Sequence, residues 1–284
     1  MSNRRYGYYY TAPLVFWVLA FFLIPISIIL VFSFLKKGLY GGVIYEFSLS
    51  AYQSLLNPTL FKVLITTLYM SCVATLLTLM LAIPTGYFIA RSKHKNFFLF
   101  LIIIPFWTNF LIRIYAWIAI LGNNGFLNQF LIKSGLLENS IQFLYNPLAV
   151  ILVLTYTYLP FAVLPLYSTI EKFDFSLLEA ARDLGATKFE SFYKILLPNI
   201  KSGIFSAILF VFIPAFGAYA IPQLVGGRNS FMIGNIIARE LTVTRNWPLA
   251  SAMSSMLTFI TIIGVLYFLR ENNKGSKNKT NVKA

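Results

Sequence analysis

Apolar residues in this chain run in long unbroken stretches rather than recurring every third or fourth position, so the helices they predict are apolar on all sides. Six stretches come near the roughly twenty residues that cross a bilayer. They lie at about 13–35, 63–90, 97–121, 147–169, 202–224 and 249–269. The second is long enough to tilt or to project from the membrane. Pro160 and Pro165 in the fourth, and Pro214, Gly217 and Pro222 in the fifth, mark bends that serve either as hinges or as fixed packing kinks.

The segments between are organised. Ser50-Ala51-Tyr52-Gln53 has capping-box form and predicts a short helix ended by Asn57-Pro58. Gly125 to Lys133 reads as another short amphipathic helix, and the 225–248 loop carries Gly226-Gly227 and Asn246-Trp247-Pro248. Such pieces are expected at the membrane interface or against an outside partner. The segment 171–201 is the most structured. Ser176-Leu177-Leu178-Glu179 has capping-box form and predicts a helix from Leu177, and Gly185 suits a left-handed C-terminal cap. Thr187-Lys188-Phe189-Glu190 is a second box. The helix after it presents Phe189, Phe192, Tyr193 and Leu196 at helical spacing and is expected to stop before Pro198. This helix–turn–helix either rests on lipid headgroups, with Glu179 only a cap, or forms a knob seated in a groove on a soluble partner.

Composition decides the solvent. Of 284 residues 58% are apolar and 11% charged, where a soluble domain carries roughly a quarter charged. The net charge of +14 does not point to nucleic acid, because the cations sit in short segments between apolar runs, the pattern of membrane orientation. One side holds Arg4, Arg5, Arg91, Lys93, Lys95, Lys172, Arg182, Lys188, Lys194, Lys201, Arg270, Lys274, Lys277, Lys279 and Lys283. The other holds Lys36, Lys37, Lys62, Lys133, Arg228, Arg239 and Arg245. Fifteen against seven puts both termini in the cytoplasm. The expected fold is an all-α membrane protein of about six transmembrane helices.

Its divisions are a cytoplasmic N-terminus at 1–12, a first uncleaved span at 13–35, an extracytoplasmic loop at 36–61, a permeation core at 62–269 and a basic cytoplasmic tail at 270–284, unstructured from Asn272 to Ala284. The core includes the cytoplasmic loop 171–201. Cys72, the single cysteine, offers neither a disulfide nor a thiolate metal site.

Glu179-Ala180-Ala181, three residues, Gly185, nine residues, Ile195, one residue and Leu197-Pro198 is similar to the EAA signature of ABC importer permeases, at the family's spacing and in the family's loop. The resemblance implies the type I ABC importer permease fold, also called MetI-like. It makes the first loop helix a coupling helix held in a cleft of a nucleotide-binding subunit. Small Ala180 and Ala181 would allow close approach, Gly185 would permit the turn, and Glu179 would cap the helix or meet a basic group. The chain has no G-x-x-x-x-G-K-[ST] phosphate loop. ATP and Mg are therefore expected on a separate ATPase, with no cofactor, metal or catalytic residue on this chain.

Pro105-Phe106-Trp107-Thr108-Asn109 with Leu111-Ile112-Arg113-Ile114-Tyr115, Leu159-Pro160-Phe161, Pro165-Leu166-Tyr167-Ser168, Ile233-Gly234-Asn235 and Trp247-Pro248 resemble the spermidine/putrescine permeases, most closely the first of that system's two. That resemblance implies a second, different permease chain, two ATPase copies and an extracytoplasmic binding protein that delivers a polyamine. The six stretches contain no carboxylate, although a tight polyamine site would want one. Aromatic and polar candidates for a cation path are Trp107, Asn109, Tyr115, Trp117, Tyr156 and Tyr219. Arg113, about 12 Å below the outer end of its helix, is the one charge inside a stretch and is expected to pair with Glu240 or with an acid of the second permease.

Other type I importers, for metal oxyanions, iron or amino acids, share this architecture. An ion-coupled carrier would show buried Asp, Glu or His, and an intramembrane enzyme a H-E-x-x-H or an acid pair. The stretches hold none of these, and the lone histidine, His94, lies in a basic turn.

Overall fold

The computed structural model describes residues 3–281, with side chains for 10–266 and 270. The elements in chain order are helix α1 (Asn3–Ser33), strands β1 (Leu35–Lys37) and β2 (Val43–Phe47), and helices α2 (Ser50–Leu55), α3 (Pro58–Arg91), α4 (Lys95–Ile103) and α5 (Phe110–Leu121). Helices α6 (Phe126–Lys133), α7 (Pro147–Ile170), α8 (Ser176–Asp183), α9 (Lys188–Ser191), α10 (Leu197–Asn199) and α11 (Lys201–Phe216) follow. The chain closes with α12 (Ala220–Val225), α13 (Ile233–Thr242) and α14 (Trp247–Asn281). Among the described residues, five helical stretches are long and apolar enough to cross a membrane: Tyr10–Ser33, Pro58–Arg91, Phe110–Lys133, Pro147–Ile170 and Trp247–Leu266. A sixth follows if Lys188–Asn199 and Lys201–Phe216, bent by 72°, count as one span. Exposed Lys188 and Lys194 argue against that pairing. The apolar continuation of α11 is α12, so Lys201–Val225 is the better sixth span.

Several expectations are corrected. The third apolar stretch is not one helix. It is α4, a 3₁₀ turn Ile104–Trp107 and α5, because Pro105 has no N–H to donate and Thr108 is extended. Asn109 then restarts the helix by accepting the Leu111 N–H on its side chain at 2.8 Å. The fifth stretch breaks at Gly217, one of its marked bend positions, between α11 and α12. Ser50 does not close a capping box: Leu49 is the cap residue and makes no side-chain bond. Asn57 works forward instead, accepting from Thr59 N–H at 2.9 Å, and Pro58 opens α3. Helix α14 extends to Asn281 where an unstructured tail is expected, since no proline after Pro248 interrupts it.

The backbone separates into two compact units: residues up to Lys62 with Ile236–Gly264, and Val63–Asn235 with the stretch from Val265. In the first, an unforeseen antiparallel hairpin pairs Leu35 with Phe47 and Lys37 with Val43. The Gly42 N–H ties it to the Arg245 carbonyl, and Gly41, at φ +97°, lies so close to Arg245 that a Cβ would be 2.4 Å from its side chain.

The second unit is built on α7, which packs most extensively against α11. A Cβ on Gly203 of α11 would meet Thr169 Oγ1 at 2.5 Å, so the two backbones approach as closely as glycine permits. One core cluster joins Met70, Ile114, Val150, Leu154, Ile221 and Met232. A second joins Ile89, Val163, Leu166 and Ile170 to Leu178, Leu196 and Ile200. The second cluster extends the span core into the helix–turn–helix of 171–201, which is how that loop is held in place.

Candidate functional site

Helix α8 has one buried side chain, Leu178. Its N-terminus is not the predicted box. Phe175 is already helical at φ −69°, ψ −18°, and the Asp174 carboxylate, two residues before Ser176, accepts the Ser176 N–H at 3.0 Å. Glu179 is therefore free of capping duty and stands exposed beside exposed Ala180.

The C-terminus closes as a Schellman turn. The Ala186 N–H reaches the Ala181 carbonyl at 3.0 Å, the Gly185 N–H reaches that of Arg182 at 2.9 Å, and Gly185 sits at φ +90°. Leu184 at the tip is 90% exposed.

The following helix begins with the predicted box. Thr187 Oγ1 accepts the Glu190 N–H at 3.1 Å and Glu190 Oε2 accepts the Thr187 N–H at 3.0 Å. Those bonds, the Thr187 N–H foremost and then the Lys194 ammonium, hold the Glu190 carboxyl at about 2 instead of the ordinary 4.5. A lowered folded-state value means the box stabilises above the ordinary glutamate range and fades as pH falls through about 2. Loop amides are therefore expected to be better protected in the wild type than in Glu190→Gln at about pH 6, the two converging toward about pH 2. Hydrogen exchange corrected for intrinsic rates reads this; equal protection at about pH 6 would refute it.

The helix does not stop before Pro198. It widens into a π turn at Phe192–Leu196 and continues through Leu197–Asn199. The wide turn spares the carbonyls ahead of Pro198, which lacks an N–H and would crowd Lys194. Phe189 and Tyr193 stack outward with ring centroids 6.4 Å apart, while Leu196 is fully buried. Of the seven signature positions, Glu179, Ala180, Gly185 and Pro198 are exposed, Ala181 is half-buried, and Ile195 and Leu197 are half-buried against the core.

Sequence reasoning missed what surrounds this knob. Tyr87 of α3 meets Phe175 and Phe192 edge-on, each with centroids 6.0 Å apart. Arg91 donates to the Tyr87 hydroxyl at 3.0 Å and lies over the Phe175 ring at 5.4 Å. Lys95 pairs with Glu171, raising the lysine's pKa and lowering the carboxyl's. The i,i+4 spacing of Tyr87 and Arg91 was legible as one helix face; their partners lie more than eighty residues on.

The proposed path residues do not form one group. Trp117 and Tyr156 meet edge to face at 5.3 Å. Trp107 meets Phe100, and Asn109 caps α5. Tyr115 and Tyr219 are exposed, and the Tyr219 carbonyl accepts from buried Asn235 at 3.0 Å. Arg113 and Glu240 lie in different units. The Glu240 carboxylate accepts from the hydroxyl of Thr244, just past the end of α13, at 2.6 Å. The Arg113 guanidinium lies over Phe106 at 4.9 Å and Phe110 at 5.8 Å, with Nε buried and lacking a hydrogen-bond partner among the described residues. Among the described residues no three His, Cys, Asp or Glu gather as a metal site.

A knob carrying this signature, rooted in the core of apolar helices, is matched by known proteins. The family model for the binding-protein-dependent transport system inner membrane component matches residues 82–272. The chain belongs to this family. It is a multi-pass transport component of the inner membrane, not an enzyme. It is 41% identical over 256 residues to the Escherichia coli K12 spermidine/putrescine transport system permease protein PotB, covering 89% of this chain and 93% of that protein. The Haemophilus influenzae PotB is 39% identical over 274 residues, 95% of each chain. The E. coli inner membrane ABC transporter permease protein YdcU is 32% identical over 238 residues, covering 79% of this chain and 74% of that protein. A solved bacterial ABC transporter involved in import of the acidic polysaccharide alginate has a chain that superposes with TM-score 0.74 over 96% of both chains. At 16% identity it shares the fold alone.

Proposed function

We propose that this permease component carries polyamines of the spermidine/putrescine class inward, driven by ATP hydrolysed on a separate chain. The supporting observation is its identity to spermidine/putrescine permeases over nearly the whole length of both chains. Both termini and the α8 loop face the cytoplasm in this reading, following the lysine and arginine count. Exposed Glu179, Ala180 and Gly185 seat α8 in an ATPase cleft; half-buried Ala181, Ile195 and Leu197, with Pro198, fix the knob to the spans. The partners are a second, different permease, two ATPase copies that bind the ATP and Mg, and an extracytoplasmic binding protein.

Closure of the ATPases would then move the two permeases as bodies. Spans without a carboxylate bind a polycation weakly, which suits a path the cargo must leave, and selectivity rests with the binding protein. Trp107, Asn109, Tyr115, Trp117, Tyr156 and Tyr219 remain the residues assigned to that path, Trp117 and Tyr156 supported by their ring contact.

Deleting this chain is expected to abolish uptake of labelled spermidine, with excess unlabelled putrescine competing in the wild type. Unchanged spermidine uptake would overturn the cargo, and failure of an ATPase to co-purify would overturn the coupling.

A further inference from the structure

Helix α8 is two turns long with one buried side chain, too little to transmit a push by itself. Three side chains, Phe175, Phe192 and Arg91, meet Tyr87, and the Lys95–Glu171 pair joins the adjoining helix ends. Phe175 immediately precedes α8 and Phe192 opens the π turn, so the Tyr87 ring touches both arms of the helix–turn–helix. Arg91, one turn on, stacks over Phe175 and donates to the Tyr87 hydroxyl. Lys95, the first residue of α4, pairs with Glu171 at the end of α7. The cluster thus joins the ends of α3 and α7 and the start of α4 to the two arms that carry the knob. Two grips on opposite arms fix orientation as well as position, which one buried leucine cannot do. Phe192 and Phe175 are half-buried against the same core as Leu196.

We infer that Tyr87, with Arg91 and the Lys95–Glu171 pair, is the positioning clamp through which displacement of α8 is passed to α3 and α4. The inference rests on the proposed ATP-driven function. A clamp of this kind acts on the yield of transport per ATP and leaves ATPase docking and hydrolysis to the exposed face of α8. Removing the Tyr87 ring frees both arms. Removing only its hydroxyl leaves the ring contacts, so Tyr87→Phe separates the aromatic grip from the hydrogen bond.

The test uses the complete importer, purified with its ATPase and second permease and reconstituted in liposomes, reading labelled spermidine taken up per ATP hydrolysed. Tyr87→Ala is expected to lower that ratio about fivefold or more, with ATPase co-purification unchanged and Tyr87→Phe close to wild type. Lys95→Glu and Glu171→Lys are each expected to lower the ratio, and the double exchange to restore it. If Tyr87→Ala fails to assemble, the exchange series decides alone. A wild-type ratio in Tyr87→Ala, or singles and double alike, overturns the clamp. A wild-type importer that takes up no spermidine or binds no ATPase instead overturns the function on which it rests.

Discussion

Gly185→Arg is expected to leave the chain inserted at normal levels while cutting spermidine uptake by an order of magnitude or more. Gly185 holds φ +90° in the Schellman turn that ends α8, and a Cβ there would meet nothing within 4 Å. The penalty is therefore backbone strain, about 1–2 kcal/mol for a non-glycine residue. That depletes the docked turn about 5- to 30-fold. Arginine adds bulk and charge beside exposed Leu184, on the face assigned to the ATPase. Gly185→Asn, which tolerates the left-handed region, should lose least and Gly185→Ala an intermediate amount. Uptake normalised to expression checks the order; wild-type uptake by the arginine variant would remove the loop from coupling.

Gly203→Leu is expected to destabilise the whole protein. Even an alanine Cβ would fall 2.5 Å from Thr169 Oγ1 and 2.8 Å from Thr169 Cβ. Neither α7 nor α11 can yield without disturbing the contact on which the second unit is built. Overpacking of this kind costs about 1–3 kcal/mol for the smaller change and more for leucine. Thermal unfolding in detergent should show Gly203→Leu lowest and Gly203→Ala between it and wild type. Gly264→Ala is the control, since its Cβ meets nothing within 4 Å and φ there is ordinary; it should be neutral or slightly stabilising. Equal shifts at Gly203 and Gly264 would mean that the α7–α11 approach is not the limiting contact.

Unbroken apolar runs made the long helices α1, α3, α7 and α14 legible, because lipid demands them and composition reports it. The break in the third span was not legible, since Pro105 sits in a run as apolar as any other, whereas Gly217 was marked as a bend though not as a full break. Whether a proline bends a helix or ends it depends on which group receives the orphaned carbonyls. In the loop, spacing located both helices and the Gly185 turn, and the Thr187–Glu190 box formed as its residues require. The Ser176 and Ser50 boxes failed because residues just ahead of them supplied the first helical turn or the bond. Arg113 is the sharpest lesson. Charge alone suggests a carboxylate and gives no hint of the phenyl rings of Phe106 and Phe110, on which the guanidinium rests. The Tyr87 cluster was out of reach because its partners are set by how α3 and α7 end together in space.

The π turn at Phe192–Leu196 gives the loop slack in chain length. A π turn carries about one residue more than an α turn of the same rise. Loss of one residue there would be absorbed by reverting to α geometry, leaving Pro198 and the 72° bend into α11 where they are. Loss of a second residue, which the α turn could not absorb, would rotate everything ahead of it by about 100° about the helix axis. The stacked Phe189 and Tyr193 would swing with it. Length in this short segment is thus a setting for the direction the knob faces, and a change of partner could be met by two codons rather than by a rebuilt surface.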